Sequence, residues 1–315
     1  MSTIWRFILF QLLIIVPFLS ASVFRKQIRD PETLSKRLIR LNLVFIERGI
    51  AFWSIWGLRL DREMAFLPVS GFFLVILGMA LGRAAVGALG LGQKSRASFL
   101  ISSSLANHGF TMGAFLCYLI LGERGLGLAS LFLSYFLIFV FTVIFPYARS
   151  MSTRSPEGIG ILRRYVLDLQ NMPLLAVVAA VCLQIAGITR PVMDFPVDAL
   201  MMISISGYYF SIGMNFTLRG LFSYAWENLA LAIIKFVSIP AATWFLLSWI
   251  NMDAGIKSVI MIQSFMPAAI YSVVSSVLFD LDTRLTTTLF VANTLIFLFV
   301  VLPLIFFFRT GILFI

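Results

Sequence analysis

The sequence is short of charge. Asp, Glu, Lys and Arg make up 12% of it, about half the share of a water-soluble domain, and an ordinary soluble fold is excluded on that ground. Histidine occurs once, as His108, and cysteine twice, as Cys117 and Cys182. One histidine cannot build a multi-histidine metal site. Two cysteines inside apolar runs support neither a disulfide framework nor a zinc site, and both read as small buried hydrophobes. There is no phosphate-cradling glycine loop, no H-E-x-x-H and no C-x-x-C. Ser102–Ser104 with His108 alone is a poor nucleophile system. Neither an enzyme activity nor a cofactor is expected. Acidic residues are outnumbered by basic ones, 14 to 24, for a net charge of +10. A basic excess can signal a nucleic-acid partner, but these residues fall in short runs between apolar stretches and form no continuous stripe. No nucleic-acid partner is expected.

What is plentiful is apolar. Of the 315 residues, 60% are hydrophobic and 32 are Phe. A helix needs about 20 apolar residues to cross a bilayer, and candidates stand at 3–24, 41–59, 65–83, 98–121, 126–148, 171–189, 197–217, 227–250, 256–279 and 285–308. The fold expected is an all-α integral membrane protein of ten spans, with the lipid bilayer as its first partner. The apolar run after Arg6 has the length of a signal peptide, but Arg25, Lys26 and Arg29 follow it directly, as they would after a span reaching the cytoplasm. Tyr147, Trp226 and Trp249 fall near span ends, where interfacial aromatics belong. Tyr208 and Tyr209 read as core packing or as cavity lining.

The loops set the orientation. Fifteen basic residues lie on one side, among them Arg25 to Arg40, Arg83, Lys94, Arg96, Arg149, Arg154, Arg163, Arg164, Arg219 and Arg284. Seven lie on the other: Arg6, Arg59, Arg62, Arg124, Arg190, Lys257 and Arg309. The richer side is expected in the cytoplasm, which puts loops 25–40 and 149–168 inside and both termini outside a cell membrane. Loop 149–168 also divides the chain into two sets of five spans, residues 1–150 and 151–315. Five is odd, so the second set is inverted relative to the first, as in the inverted repeats of secondary transporters.

The two halves match weakly at their fourth spans. Span four reads Ser102-Ser103-Ser104-Leu105-Ala106-Asn107-His108-Gly109-Phe110-Thr111-Met112-Gly113-Ala114, and span nine reads Met261-Ile262-Gln263-Ser264-Phe265-Met266-Pro267-Ala268-Ala269. Met112-Gly113-Ala114 aligns with Met266-Pro267-Ala268 without a gap. Pro267 removes a backbone hydrogen bond, and Gly109 and Gly113 permit close backbone approach. Two helices broken at mid-membrane would aim half-helix N-termini, with their free N–H groups, at one point suited to an anion. The alternative is a proline kink with glycine packing.

At these residues the chain resembles the auxin efflux carrier family, plant and microbial permeases with an Asn followed by Gly-x-Pro in span four and a Met-Pro-Ala-like element in span nine. Asn107 with Gly113, and Met266-Pro267-Ala268, carry the likeness. Phe24-Arg25-Lys26, Asn171-Met172-Pro173-Leu174-Leu175, Ile212-Gly213-Met214 and Lys235 with Pro240 extend it over the chain. Two positions depart: Ala114 stands nearest the family's span-four proline, and Glu47-Arg48-Gly49 stands where the family has a proline in span two. The resemblance implies ten helices with broken, crossing spans four and nine, a scaffold part and a moving transport part. It implies secondary transport of a small organic anion, a carboxylate, by alternating access. The expected substrate-binding residues are Asn107, His108, Gly113, Gln263, Ser264, Pro267 and Lys235.

Ionisable groups inside spans are functional candidates by default. Glu47 and Arg48 lie 6–8 residues into span two, about 9–12 Å deep at 1.5 Å per residue. They read as a counter-charge or proton-coupling group, as a structural ion pair with another helix, or as the mark of a span that starts later than position 41. Lys235, about eight residues into span eight, reads as a carboxylate partner or as a cation paired with a carbonyl. His108 reads as a proton-coupling group or as a partner for loosened backbone. Proton or sodium coupling and a homodimer are compatible with this picture. Two other functions stay open: a non-transporting receptor or scaffold on a transporter fold, and a cation-coupled symporter.

Overall fold

The computed structural model describes residues 3–152, 172–215, 224–308 and 313. Arg154, Arg163, Arg164, Arg219 and Arg309, position 171 and most of loop 149–168 lie outside the described residues. Among the described residues every regular element is a helix, and the one non-helical pairing is an isolated bridge between Ala106 and Ala268. Among the described residues five helical stretches are long and apolar enough to cross a membrane: Arg62–Leu89, Gly113–Met151, Val197–Met214, Ala225–Trp249 and Thr283–Phe307. Their outward faces are apolar. Along Phe66–Leu89 the exposed large side chains are Phe66, Val69, Phe73 and Ile76, one helical face that only lipid would solvate. Trp226 and Trp249 are exposed at the two ends of Ala225–Trp249, as interfacial anchors are. Cys182 is exposed on its helix and departs from the expected burial, whereas Cys117 is buried.

The stretch Gly113–Met151 is 39 residues long, about 58 Å at 1.5 Å per residue and about twice the hydrocarbon thickness. Gly122 divides it, with φ 70° and ψ −157°, a conformation open to glycine and closed to L side chains. The helix kinks there, between the residues expected as spans four and five.

The helices group into two compact units, each drawing on both halves of the chain. The first comprises Met1–Asp61, Gly109–Leu131 and Glu157–Leu218. Within it Thr3–Phe24 packs along Val197–Asn215, and Glu47–Trp56 packs along Met172–Ile185. At Gly213 a Cβ would meet the Phe18 carbonyl at 2.3 Å, so only glycine lets these two helices come so close. Asp30 caps the Pro31–Leu41 helix by accepting from the Thr33 N–H, and that helix runs on through Asn42–Ile46 into Glu47–Trp56. The helix over the residues expected as span two therefore starts at Pro31, ten residues before position 41. Arg190 donates to the Trp53 carbonyl at 3.2 Å, pairs with Glu123 and lies over the Trp53 ring.

The second unit comprises Arg62–His108, Phe132–Pro156 and Arg219–Ile315. Its Phe66–Leu89 helix packs on Gln93–Ser104. A Cβ at Gly78 would lie 2.3 Å from the Ser103 carbonyl oxygen, and one at Gly82 would lie 2.0 Å from Ser103 Oγ. Gly71, one turn and more before them, lies against the Tyr135 ring. Lys94 pairs with Asp280 at 2.8 Å and Ser95 donates to Asp282 at 2.7 Å, while Glu63 accepts from the Asp253 N–H at 2.7 Å.

Candidate functional site: a crossover of two interrupted helices

Gln93–Ser104 ends at Ser104 because Leu105 turns extended, with φ −74° and ψ 133°. Ala254–Ser264, begun by the Asp253 cap, ends at Ser264, and the next helix, Ile270–Leu278, starts after extended Ala269. The two interruptions meet antiparallel at Ala106 and Ala268. The Asn107 N–H donates to the Pro267 carbonyl at 2.8 Å, and the Ala269 N–H donates to the Leu105 carbonyl at 3.2 Å. These bonds satisfy backbone groups that helix interruption frees, which buried chain requires.

The pairing register differs from the gap-free alignment of Met112-Gly113-Ala114 with Met266-Pro267-Ala268. The partner of Ala268 is Ala106, and Gly113 begins the following helix, Gly113–Phe132, within the first unit. Counted from the helix ends Ser104 and Ser264, Asn107 and Pro267 occupy the same step. Asn107 must donate its N–H across the bridge, which a proline could not do. Pro267 is asked only for its carbonyl. This accounts for a break in span four that has no proline. Gly109 gives no close approach either, because nothing lies within 4 Å of a Cβ there; it supports a turn in which its carbonyl accepts from Met112 and Ala114.

Side chains converge on the bridge. Lys235, 1% exposed, donates to the Leu105 carbonyl at 3.0 Å and to that of Ser104 at 3.4 Å. A cation at a helix C-terminus is favoured by the exposed carbonyls. Lys235 sits in a π-helical turn, Ile234–Ser238, two residues before Pro240. A proline has no N–H and crowds the carbonyl four residues back; a widened turn accommodates it, and such turns gather at functional positions. Gln263 is fully buried and its Nε2 donates to the His108 carbonyl at 3.2 Å, while its Oε1 has no hydrogen-bond partner. His108 Nδ1 shares a 2.5 Å hydrogen bond with the Tyr135 hydroxyl, and Phe132 lies edge-on to the imidazole. Ser264 returns its hydroxyl to the Met261 carbonyl of its own helix at 2.7 Å.

Asn107, His108, Lys235, Gln263 and Pro267 are thus brought together, with Ser264 at the adjoining helix end. Glu47, Arg48 and Gly113 belong to the first unit. Glu47 is buried and hydrogen-bonds to Tyr208. The Nε and Nη2 of Arg48 are buried without a hydrogen-bond partner. Sequence reasoning missed Tyr135, which holds the histidine, and Gly71, Gly78 and Gly82, which make room for it and for Ser103. It also missed Asn293, fully buried with neither amide atom hydrogen-bonded. The glycines were legible as a small-residue stripe at steps of seven and four.

No family model matches the chain, and no curated protein matches it.

Proposed function

We propose that the protein is a secondary transporter of a small organic anion, a carboxylate, held at mid-membrane where spans four and nine cross. The observation that carries this is the Lys235 ammonium at the meeting of two interrupted helices. No acidic residue occurs in 66–122, 132–156, 228–252, 254–279 or 283–315. The acids of the second unit therefore stand at helix ends, and the lysine charge has carbonyl dipoles but no carboxylate to neutralise it. A mobile carboxylate answers that field. First-turn N–H groups of the resumed helix Ile270–Leu278, the Asn107 amide and the His108 ring would orient it. Alternating access would open the site to each face of the membrane in turn.

The ten-span inverted repeat fits this function. Spans five and ten each contain a π-helical turn, Val140–Ile144 and Phe297–Val301, with Pro146 and Pro303 two residues beyond. Spans four and nine each break after a serine. The connection between spans three and four meets that between spans nine and ten through Lys94–Asp280, and the connection between spans two and three meets that between spans eight and nine through Glu63–Asp253, as spans that alternate in direction would allow. The resemblance to auxin efflux carriers points the same way. The receptor or scaffold alternative is motivated by the missing span-four proline and by the Glu47-Arg48 pair; the Ala106–Ala268 bridge, which interrupts span four without a proline, bears on the first of these alone.

Thermal stabilisation of the purified protein by acetate, malate, citrate and an aromatic acetate tests the proposal. Stabilisation by at least one acid, weakened in Asn107→Ala, is expected. Equal indifference to all of them, in protein that melts cooperatively, would favour the receptor or scaffold.

A further inference from the structure

We infer that Lys235 is a tethered stand-in for a coupling cation, so that the transporter proposed above works without sodium. The inference rests on that proposal for its meaning but not for its test. Transporters built on broken helices hold sodium on unwound carbonyls and on half-helix C-terminal ends. Here the converging carbonyls are those of Ser104, the last residue of its helix, and Leu105, the first extended one. Both already accept from the lysine ammonium, at 3.4 and 3.0 Å. Leu105 also accepts the Ala269 N–H, so both of its lone pairs are engaged.

A free cation could not share this place. It would meet a positive charge at bonding distance from the same oxygens. No acidic side chain in the interior of this unit's spans could offset that repulsion, because its acids, Glu63, Glu227, Asp253, Asp280 and Asp282, lie at helix ends. The π-helical turn Ile234–Ser238 carries the lysine, and full burial of the stem fixes the ammonium as firmly as coordination would fix an ion. A sodium site on this architecture thus becomes a permanent part of the chain, and the charge that sodium would bring on each cycle is always present.

Thermal unfolding of the detergent-purified full chain, in sodium chloride against choline chloride at equal ionic strength, tests this directly. Wild type should melt at the same temperature in both. Lys235→Ala should melt about 3–8 °C lower in choline, and sodium or ethylammonium should recover at least half of the loss by occupying the emptied position. Stabilisation of wild type by sodium over choline would overturn the inference, as would a Lys235→Ala protein indifferent to every small cation. If Lys235→Ala does not fold, the wild-type comparison decides alone. Neither readout depends on whether any carboxylate is carried.

Discussion

His108 shows what one side chain can and cannot do at the crossover. Its Nδ1 is engaged by Tyr135, which fixes the ring. Tyr135→Phe removes that bond without changing shape. A typical net hydrogen bond is worth about 1 kcal/mol, so carboxylate affinity should fall about 3–10-fold while yield and melting temperature hold. A titration by thermal shift checks this, and unchanged affinity would make the tyrosine a packing residue. Arg48 is the opposite case, a guanidinium with two buried nitrogens unpartnered. A buried donor left without an acceptor costs stability, so Arg48→Met should raise the melting temperature by a few degrees. If Arg48 supplies positive field to the substrate, the same variant should also carry anions more slowly; a stabilised variant with wild-type flux would remove it from the mechanism.

The elements are broken and packed by backbone chemistry more than by any signature residue. Span four is interrupted without a proline because its freed groups are paired across the bridge to span nine. Helix closure through 265–269 would cost the same two bonds. Pro267→Ala should therefore leave span nine broken, with yield unchanged and transport reduced less than threefold. Loss of transport with a continuous helix in a variant structure would show that the proline, not the bridge, holds the site open. Packing is tested by glycines of opposite surroundings. Gly78→Ala drives a Cβ into the Ser103 backbone, and Gly109→Ala meets open space. The first should lower stability by about 2 kcal/mol or more and the second by less than about 0.5 kcal/mol; comparable losses would contradict this packing.

At the scale of the whole molecule, much was legible in composition. Low charge and long apolar runs required a helical membrane protein, and polar residues beside glycine and proline marked both interruptions. The register was not legible. Identities aligned Gly113 with Pro267, whereas hydrogen bonding set Asn107 beside Pro267, because a bridge selects donors and acceptors rather than similar side chains. The grouping into units was not legible either, since sequence halves show repeats, and contacts between helices distant in the chain decide which ones pack. Lys235 was visible as an embedded charge, but that its partners are the carbonyls of the broken helix depended on that packing.

We propose that the crossover carries small carboxylates across the membrane. Uptake of radiolabelled carboxylates into proteoliposomes, run as counterflow with wild type, Asn107→Ala and Lys235→Ala side by side, tests it most directly. Saturable uptake of at least one of acetate, malate, citrate or an aromatic acetate is expected in wild type. It should drop at least tenfold in both variants and be equal in sodium and choline media. Absence of uptake for every acid by correctly folded wild-type protein, or full uptake by both variants, would contradict the account.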